Sequence, residues 1–232
     1  MTQQLCTIGF DADDTLWHTE RFFRLTQDYF AERLRDYTDP VNLMDRLLAA
    51  ERRNIGHYGY GVKGFTLSMI ETAIEITDGK VPAAVIADLL DAGREMLRAP
   101  VELLPHARQA VIAARQSHKV LLITKGDLLD QERKLAQSGL GDLFNGVEII
   151  SHKTPAAYAR IFAHHGGGAP SGAMVGDSMQ SDVLPMLHVG GWAVFVPHGT
   201  PWALEQATAP VDHPRFHELP DLAGLMPLIS RL

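Results

Sequence analysis

Several classes of protein are excluded by what this sequence has little of. Cysteine occurs once, at Cys6, so no internal disulfide can form, and a thiol within an apolar stretch reads most simply as a small core residue, which suits the cytoplasm. Basic residues are too few to make a polyanion-binding face: 21 Lys and Arg against 28 Asp and Glu give a formal charge of -7, which argues against nucleic acid or an anionic membrane surface as partner. No apolar run approaches the ~18 residues of a membrane span, and the N-terminal M-T-Q-Q-L-C-T-I-G-F lacks a charged segment followed by a long apolar one. Neither export nor an anchor is expected. Internal repeats and low-complexity tracts are also missing, G-G-G-A-P at 166–170 being only a short loop.

What is present is ample material for a core: 232 residues, 46% hydrophobic and 21% charged. The apolar stretch 5–10 reads as a strand. Helical spacing then takes over, first at 20–36, where Phe22, Thr26, Tyr29, Phe30, Leu34 and Tyr37 recur at three- and four-residue steps behind a cap at Thr19 or a neighbour. Further helices are predicted at 40–54, 65–76 and 82–98, with T-D-G at 77–79 as a turn. No strand-like alternation interrupts this all-helical insertion. From Ala99 onward strands and helices take turns: helices at 106–116, 128–138, 155–164 and 182–188, strands at 120–124, 147–150, 173–175 and 192–196, and a closing helix at 220–232. Such alternation implies right-handed βαβ units, a parallel sheet with helices on both faces, and hence a doubly wound α/β core.

The strand at 5–10 ends abruptly in Asp11, Asp13 and Asp14, acids that no buried strand tolerates beyond its end. In an open α/β sheet that carboxyl edge is where ligands bind. The other strand ends add Thr124, then Lys153, then Gly176, Asp177 and Asp182. Carboxylates from two strand ends, with a hydroxyl and an ammonium beside them, suit a hard divalent cation and a phosphoryl group; oxygen ligands favour Mg²⁺.

These residues resemble, in order, the four motifs of the haloacid dehalogenase-like hydrolase superfamily: D-x-D-x-T at Asp11, Asp13 and Thr15; Thr124; Lys153; and G-D-x-x-x-x-D at Gly176, Asp177 and Asp182. The resemblance spans the chain, because the helical insertion between the first two motifs is similar to the family's small helical cap. It implies a Rossmann-like core at 1–17 and 102–232 with an all-helical cap at 18–101. It further implies a phosphatase in which Asp11 attacks phosphorus. Asp13 would act as acid and then base, Thr124 and Lys153 would grip the phosphoryl oxygens, and Mg²⁺ would be held by Asp11, the Asp13 carbonyl and Asp177. Asp182 would orient water or Lys153 from behind. Asp13 favours ester hydrolysis over dehalogenation, because only the former has a leaving alcohol to protonate. A phosphomutase or a 2-haloacid dehalogenase is the alternative within the family, and a phospho-accepting signalling module the alternative outside it. The expected partner is a small phosphorylated metabolite, with the chain a monomer or homodimer.

Other features divide between chemistry and packing. Lys125 stands where many relatives have Asn and either helps to anchor an anionic group or points to solvent. G-Y-G-V-K-G at 59–64 formally contains a dinucleotide fingerprint, but it follows a helix, so it is read as a cap loop that either selects the leaving group or simply connects helices. Thr15 is expected to hold its loop through the backbone, Asp14 to stand by, and Trp17 either to pack or to touch substrate. The eleven histidines show no recognisable ligand spacing: His164 and His165 end a helix, and His198, His213 and His217 are taken as structural.

Overall fold

The computed structural model describes residues 4–232. Its sheet has six strands in the order β3-β2-β1-β4-β5-β6, namely β1 Thr7–Phe10, β2 Lys119–Lys125, β3 Gly146–Ile150, β4 Gly172–Gly176, β5 Trp192–Phe195 and β6 Phe216–Glu218. All neighbours pair in parallel. This is the doubly wound, Rossmann-like α/β fold. The order reverses at β1, which lies between β2 and β4, and such a switch point opens a crevice beyond the carboxyl ends of the strands.

Side-chain alternation builds a core on each face of the sheet. Ile8, Phe10, Val120, Leu122, Ala173, Val175 and Val194 join one apolar cluster, while Leu121, Ile123, Met174 and Ala193 join the other. Both faces being covered, the central strands are apolar without interruption. The second face is packed closely against the strands: a Cβ on Gly9 in β1 would lie 2.8 Å from Ile123 Cδ1, and one on Gly172 in β4 would lie 2.4 Å from Phe162 Cδ1.

The chain divides into two compact units. The first holds the sheet: residues up to His18, Val101–Lys125 and Gln131–Leu232. The second comprises Thr19–Pro100 with Gly126–Asp130 and is built on four helices, α1 Glu20–Leu34, α2 Pro40–Tyr58, α3 Val62–Ile76 and α4 Ala83–Arg98. Phe30, Leu34, Leu43, Leu47, Phe65, Met69 and Leu89 form its core. Asp39 caps α2 by accepting the Asn42 N–H, with Pro40 at the first helical position. Gly93 lets α4 approach α3, since a Cβ there would lie 2.4 Å from Thr66 Oγ1. Among the described residues no helix is long and apolar enough to cross a membrane.

The structure revises several expectations. Cys6 lies just outside β1 and is exposed rather than buried, its thiol bonded to the Gln4 carbonyl. Glycine conformations shorten the 59–64 loop: Gly59 and Gly61 have φ of 73° and 115° and make the turn, and α3 begins at Val62. Thr19 occupies the N-cap of α1 without a side-chain cap bond. The sixth strand was not anticipated. Where a helix was expected at 182–188, a π-helical turn at Met179–Val183 precedes a short helix, Leu184–His188. The closing segment is a 3₁₀ turn followed by a helix at Leu225–Ile229 only.

Candidate active site

The backbone delivers the site residues in a fixed order along the strand edge. β1 pairs with β4 for one residue more than its own length, the Asp11 N–H donating to the Val175 carbonyl at 2.9 Å. The chain then turns tightly: the Leu16 N–H reaches the Ala12 carbonyl, and the Asp14 N–H reaches that of Trp17 at 2.7 Å. Asp14 adopts a left-handed conformation, φ 57°, one that Asp tolerates better than most non-glycine residues. Lys153 is fixed at its strand end by the helix after it, Pro155–His165, which Thr154 caps by accepting the Ala157 N–H and which Pro155 starts.

The fourth strand end is organised by the π turn, a local irregularity common at functional sites. Ser178 caps it by accepting the Ser181 N–H at 2.9 Å, and Asp182 accepts the Ser178 N–H through Oδ2 at 3.0 Å. Asp182 is thereby folded back onto Gly176. A Cβ on Gly176 would lie 2.2 Å from Asp182 Oδ2, so the glycine of G-D is required by its neighbour's carboxylate. Thr15 ties the first and fourth strand ends: its hydroxyl donates to Asp177 Oδ1 at 3.1 Å and accepts the Asp177 N–H at 3.0 Å.

Charge concentrates here. Buried Lys153 donates to Asp11 at 2.5 Å and to Asp182 at 2.7 Å. Asp11, Asp177 and Asp182 each offer a carboxylate oxygen within 4.8 Å of the others. Three carboxylates face one ammonium, and the imbalance shows in their protonation. Burial, then the Asp182 charge, push the Asp11 carboxyl from its ordinary 3.8 up to about 7, with Lys153 opposing. Burial and the charges of Asp11 and Asp182 likewise raise Asp177 well above the carboxylate range. Burial works against the Lys153 charge, but Asp11 and Asp182 outweigh it and hold the ammonium above its ordinary value. A hard divalent cation would relieve this excess, and the all-oxygen donors suit one. Asp11 and Asp177 carry carboxylates that could hold it.

Asp13 stands apart from this triad, though its charge reaches Asp11. Lys134 donates to its two oxygens at 2.7 and 2.8 Å, the buried Trp17 indole N–H to Oδ1 at 2.8 Å, and Gln131 to Oδ2 at 3.0 Å. The two N–H groups of the Gln131 amide are shared among Asp13, Thr124 Oγ1 at 2.7 Å and the Lys125 carbonyl at 2.9 Å, so one side chain links the second strand end to Asp13. Gln131 and Lys134 lie three residues apart on the helix Leu128–Ser138 and therefore share a face. Their positions in the helix after Thr124 were the available signal, and sequence reasoning passed over it. Lys125 reaches the fourth strand end. Its ammonium pairs with Glu205 and donates to Ser181 Oγ at 2.7 Å. Glu205 also accepts from the Ser178 hydroxyl; burial disfavours its charge, but Lys125 and these hydroxyls hold its carboxyl below the ordinary range.

Known proteins resemble this chain. The model of the haloacid dehalogenase-like hydrolases matches residues 7–190. A haloacid dehalogenase-like family hydrolase from Xanthomonas campestris is 41% identical, the match covering 99% of this chain and 92% of that one at a TM-score of 0.88. A predicted phosphoglycolate phosphatase from Haemophilus somnus 129pt shares the fold at 17% identity and a TM-score of 0.65, with 98% and 99% coverage. A 2-haloacid dehalogenase from Pseudomonas syringae pv. tomato DC3000 shares it at 16% identity and 0.60, again with 98% and 99% coverage. No curated protein matches the sequence. With four motif-bearing strand ends gathered on one edge and a family match over most of its length, the chain belongs to the haloacid dehalogenase-like hydrolases and is a hydrolytic enzyme.

Proposed function

We propose that the enzyme is a Mg²⁺-dependent phosphatase that hydrolyses a small phosphate monoester through an aspartyl-phosphate on Asp11. The observation that carries this reading is Asp13: a second carboxylate two residues beyond Asp11, held by Lys134, Gln131 and Trp17. Dehalogenation has no use for such a group, whereas ester cleavage needs a proton for the departing alkoxide and later a base for water.

In the first half-reaction an Asp11 carboxylate oxygen forms a bond to phosphorus while the ester P–O bond breaks. Asp13, held in place by Lys134, Gln131 and Trp17, gives a proton to the leaving oxygen and is left as the carboxylate. In the second half the Asp13 carboxylate removes a proton from water, whose oxygen attacks phosphorus and returns Asp11 and inorganic phosphate. Lys153 and Thr124 bind the phosphoryl oxygens, and Lys153 is kept on target by Asp182. Mg²⁺, held by Asp11, the Asp13 carbonyl and Asp177, would supply charge neutralisation to the phosphoryl group. The helical insertion at 18–101 would serve as a cap that selects the leaving group. The substrate on this reading is a small phosphorylated metabolite of the cytoplasm, its charge met locally by Lys153 and the cation against the chain's net -7, and the enzyme a monomer or homodimer.

The test is phosphate release from a panel of sugar phosphates, nucleotides and small carboxylated phosphates with Mg²⁺, alongside Asp11→Asn. Release by the wild type and none by the variant is expected. No release from any monoester, together with halide release from a 2-haloacid, would overturn the reading.

A further inference from the structure

We propose that Asp14, His18 and His198 form a second cation site, selective for a transition metal of the Zn²⁺ class and separate from the Asp11 cluster. Two of the three lie on the loop that follows β1 and the third on the loop that follows β5. His18 is anchored through its backbone, its N–H donating to the Glu102 carbonyl at 3.0 Å. His198 follows Val196, whose N–H is bonded to the Gly176 carbonyl at 2.9 Å. Neither imidazole is therefore carried on a free-swinging segment. Asp14 holds a left-handed backbone conformation in that loop, φ 57°.

Side-chain geometry then selects the ligand. His18 Nδ1 and His198 Nε2 face one another at 3.2 Å, with ring centroids 5.0 Å apart and planes inclined at 56°. A carboxylate oxygen of Asp14 and one nitrogen from each ring all lie within 4.8 Å of one another. In tetrahedral coordination with metal–nitrogen bonds of about 2.0–2.1 Å, two ligating nitrogens stand about 3.3–3.4 Å apart, close to the spacing observed. Two imidazoles and a carboxylate suit Zn²⁺ or a neighbouring first-row ion, whereas Mg²⁺ prefers an all-oxygen set. Three protein ligands also leave a coordination position open. The simpler account of the same contact is an N–H···N bond between the rings, and the two accounts differ in what they bind.

Bound there, the ion would staple the loop carrying Asp13 and Trp17 to the loop after β5 while leaving the Asp11 cluster to Mg²⁺. Its charge would also offset Asp14, which acts on Asp177. The site does not depend on which reaction Asp11 performs.

The experiment uses the full chain, stripped with chelator and titrated with Zn²⁺ against a chromophoric competitor in excess Mg²⁺, and in parallel with Co²⁺ followed by visible absorption. One Zn²⁺ per chain is expected, together with the intense d–d bands of four-coordinate Co²⁺. Asp177→Asn should leave both unchanged. His18→Gln and His198→Gln should each weaken binding at least tenfold and abolish the Co²⁺ bands, with folding of each variant checked by circular dichroism. The proposal is overturned if the wild type takes up no Zn²⁺ at micromolar concentration, or if the bound ion is lost in Asp177→Asn and retained in the histidine variants. Should a histidine variant fail to fold, the wild-type Co²⁺ spectrum decides: octahedral, weak bands overturn the site.

Discussion

Neutralising Asp11 should stabilise the metal-free protein, and by an amount that depends on pH. In the folded chain the Asp11 carboxyl is raised from 3.8 to about 7, so between those values the native state holds a proton that the unfolded state has released. Stability from this group therefore falls as pH rises from about 4 to 7. Three pK units at about 1.36 kcal/mol each set a ceiling near 4 kcal/mol at pH 7.5. Because Asp177 shares the excess charge and can take up the proton instead, about half of that is expected to be recovered by Asp11→Asn, with Lys153 still paired to Asp182. At about 2–4 °C per kcal/mol for a chain of this size, the variant should melt about 4–8 °C above the wild type at pH 7.5 in chelator. At pH 5.5 the gap should shrink by about half. Thermal unfolding followed by circular dichroism across that range makes the comparison. Adding Mg²⁺ should raise the wild type and close the gap by mass action. A variant that is less stable than the wild type in chelator, or a gap that does not change with pH, would refute the reasoning.

Three further outcomes rest on contacts in the site. Lys134→Met removes the ammonium that holds both Asp13 oxygens and, by loosening the general acid–base, should lower kcat about 10²-fold, while Lys134→Arg, which restores the charge, should recover part of it; steady-state kinetics decide, and an unchanged kcat in Lys134→Met would remove Lys134 from the positioning of Asp13. Gly176→Ala drives a methyl into Asp182 and should cost activity by at least tenfold while the overall fold survives, read as kcat together with far-ultraviolet circular dichroism. Glu205→Gln removes a carboxyl held below its ordinary 4.5, so the wild type's advantage should be present at pH 7 and fade as pH falls below about 4.5, as measured by denaturant midpoints.

The parts of this molecule that were legible in its sequence are those carried by local pattern. Continuous apolar runs ending in Asp11, Thr124 and Asp177 marked buried parallel strands and the edge where they stop, and four helices stood out by their periodicity. What escaped is short or nonlocal. β6 has three residues, Phe216–Glu218, too few for alternation to register. Glu205 meets Lys125 across eighty positions, and His198 meets His18 across 180, separations at which no spacing rule operates. Lys134 and Gln131 lay within reach of a simpler argument, since a helix that starts beside a catalytic strand end must aim one face of its first turns near it. Thr15 was expected to brace its loop through the backbone; it does accept the Asp177 N–H, and it also donates to that residue's carboxylate, a bond that only the approach of β1 and β4 creates.

The central claim is that Asp11 becomes covalently phosphorylated. The direct measurement is rapid acid quenching of the enzyme with Mg²⁺ and a turned-over monoester bearing labelled phosphate, followed by peptide mapping. Label should appear on the peptide containing Asp11 within a single turnover, withstand acid, be released by hydroxylamine, and be absent from Asp11→Asn. Turnover with no label on that peptide, or undiminished phosphate release by the variant, would contradict the account.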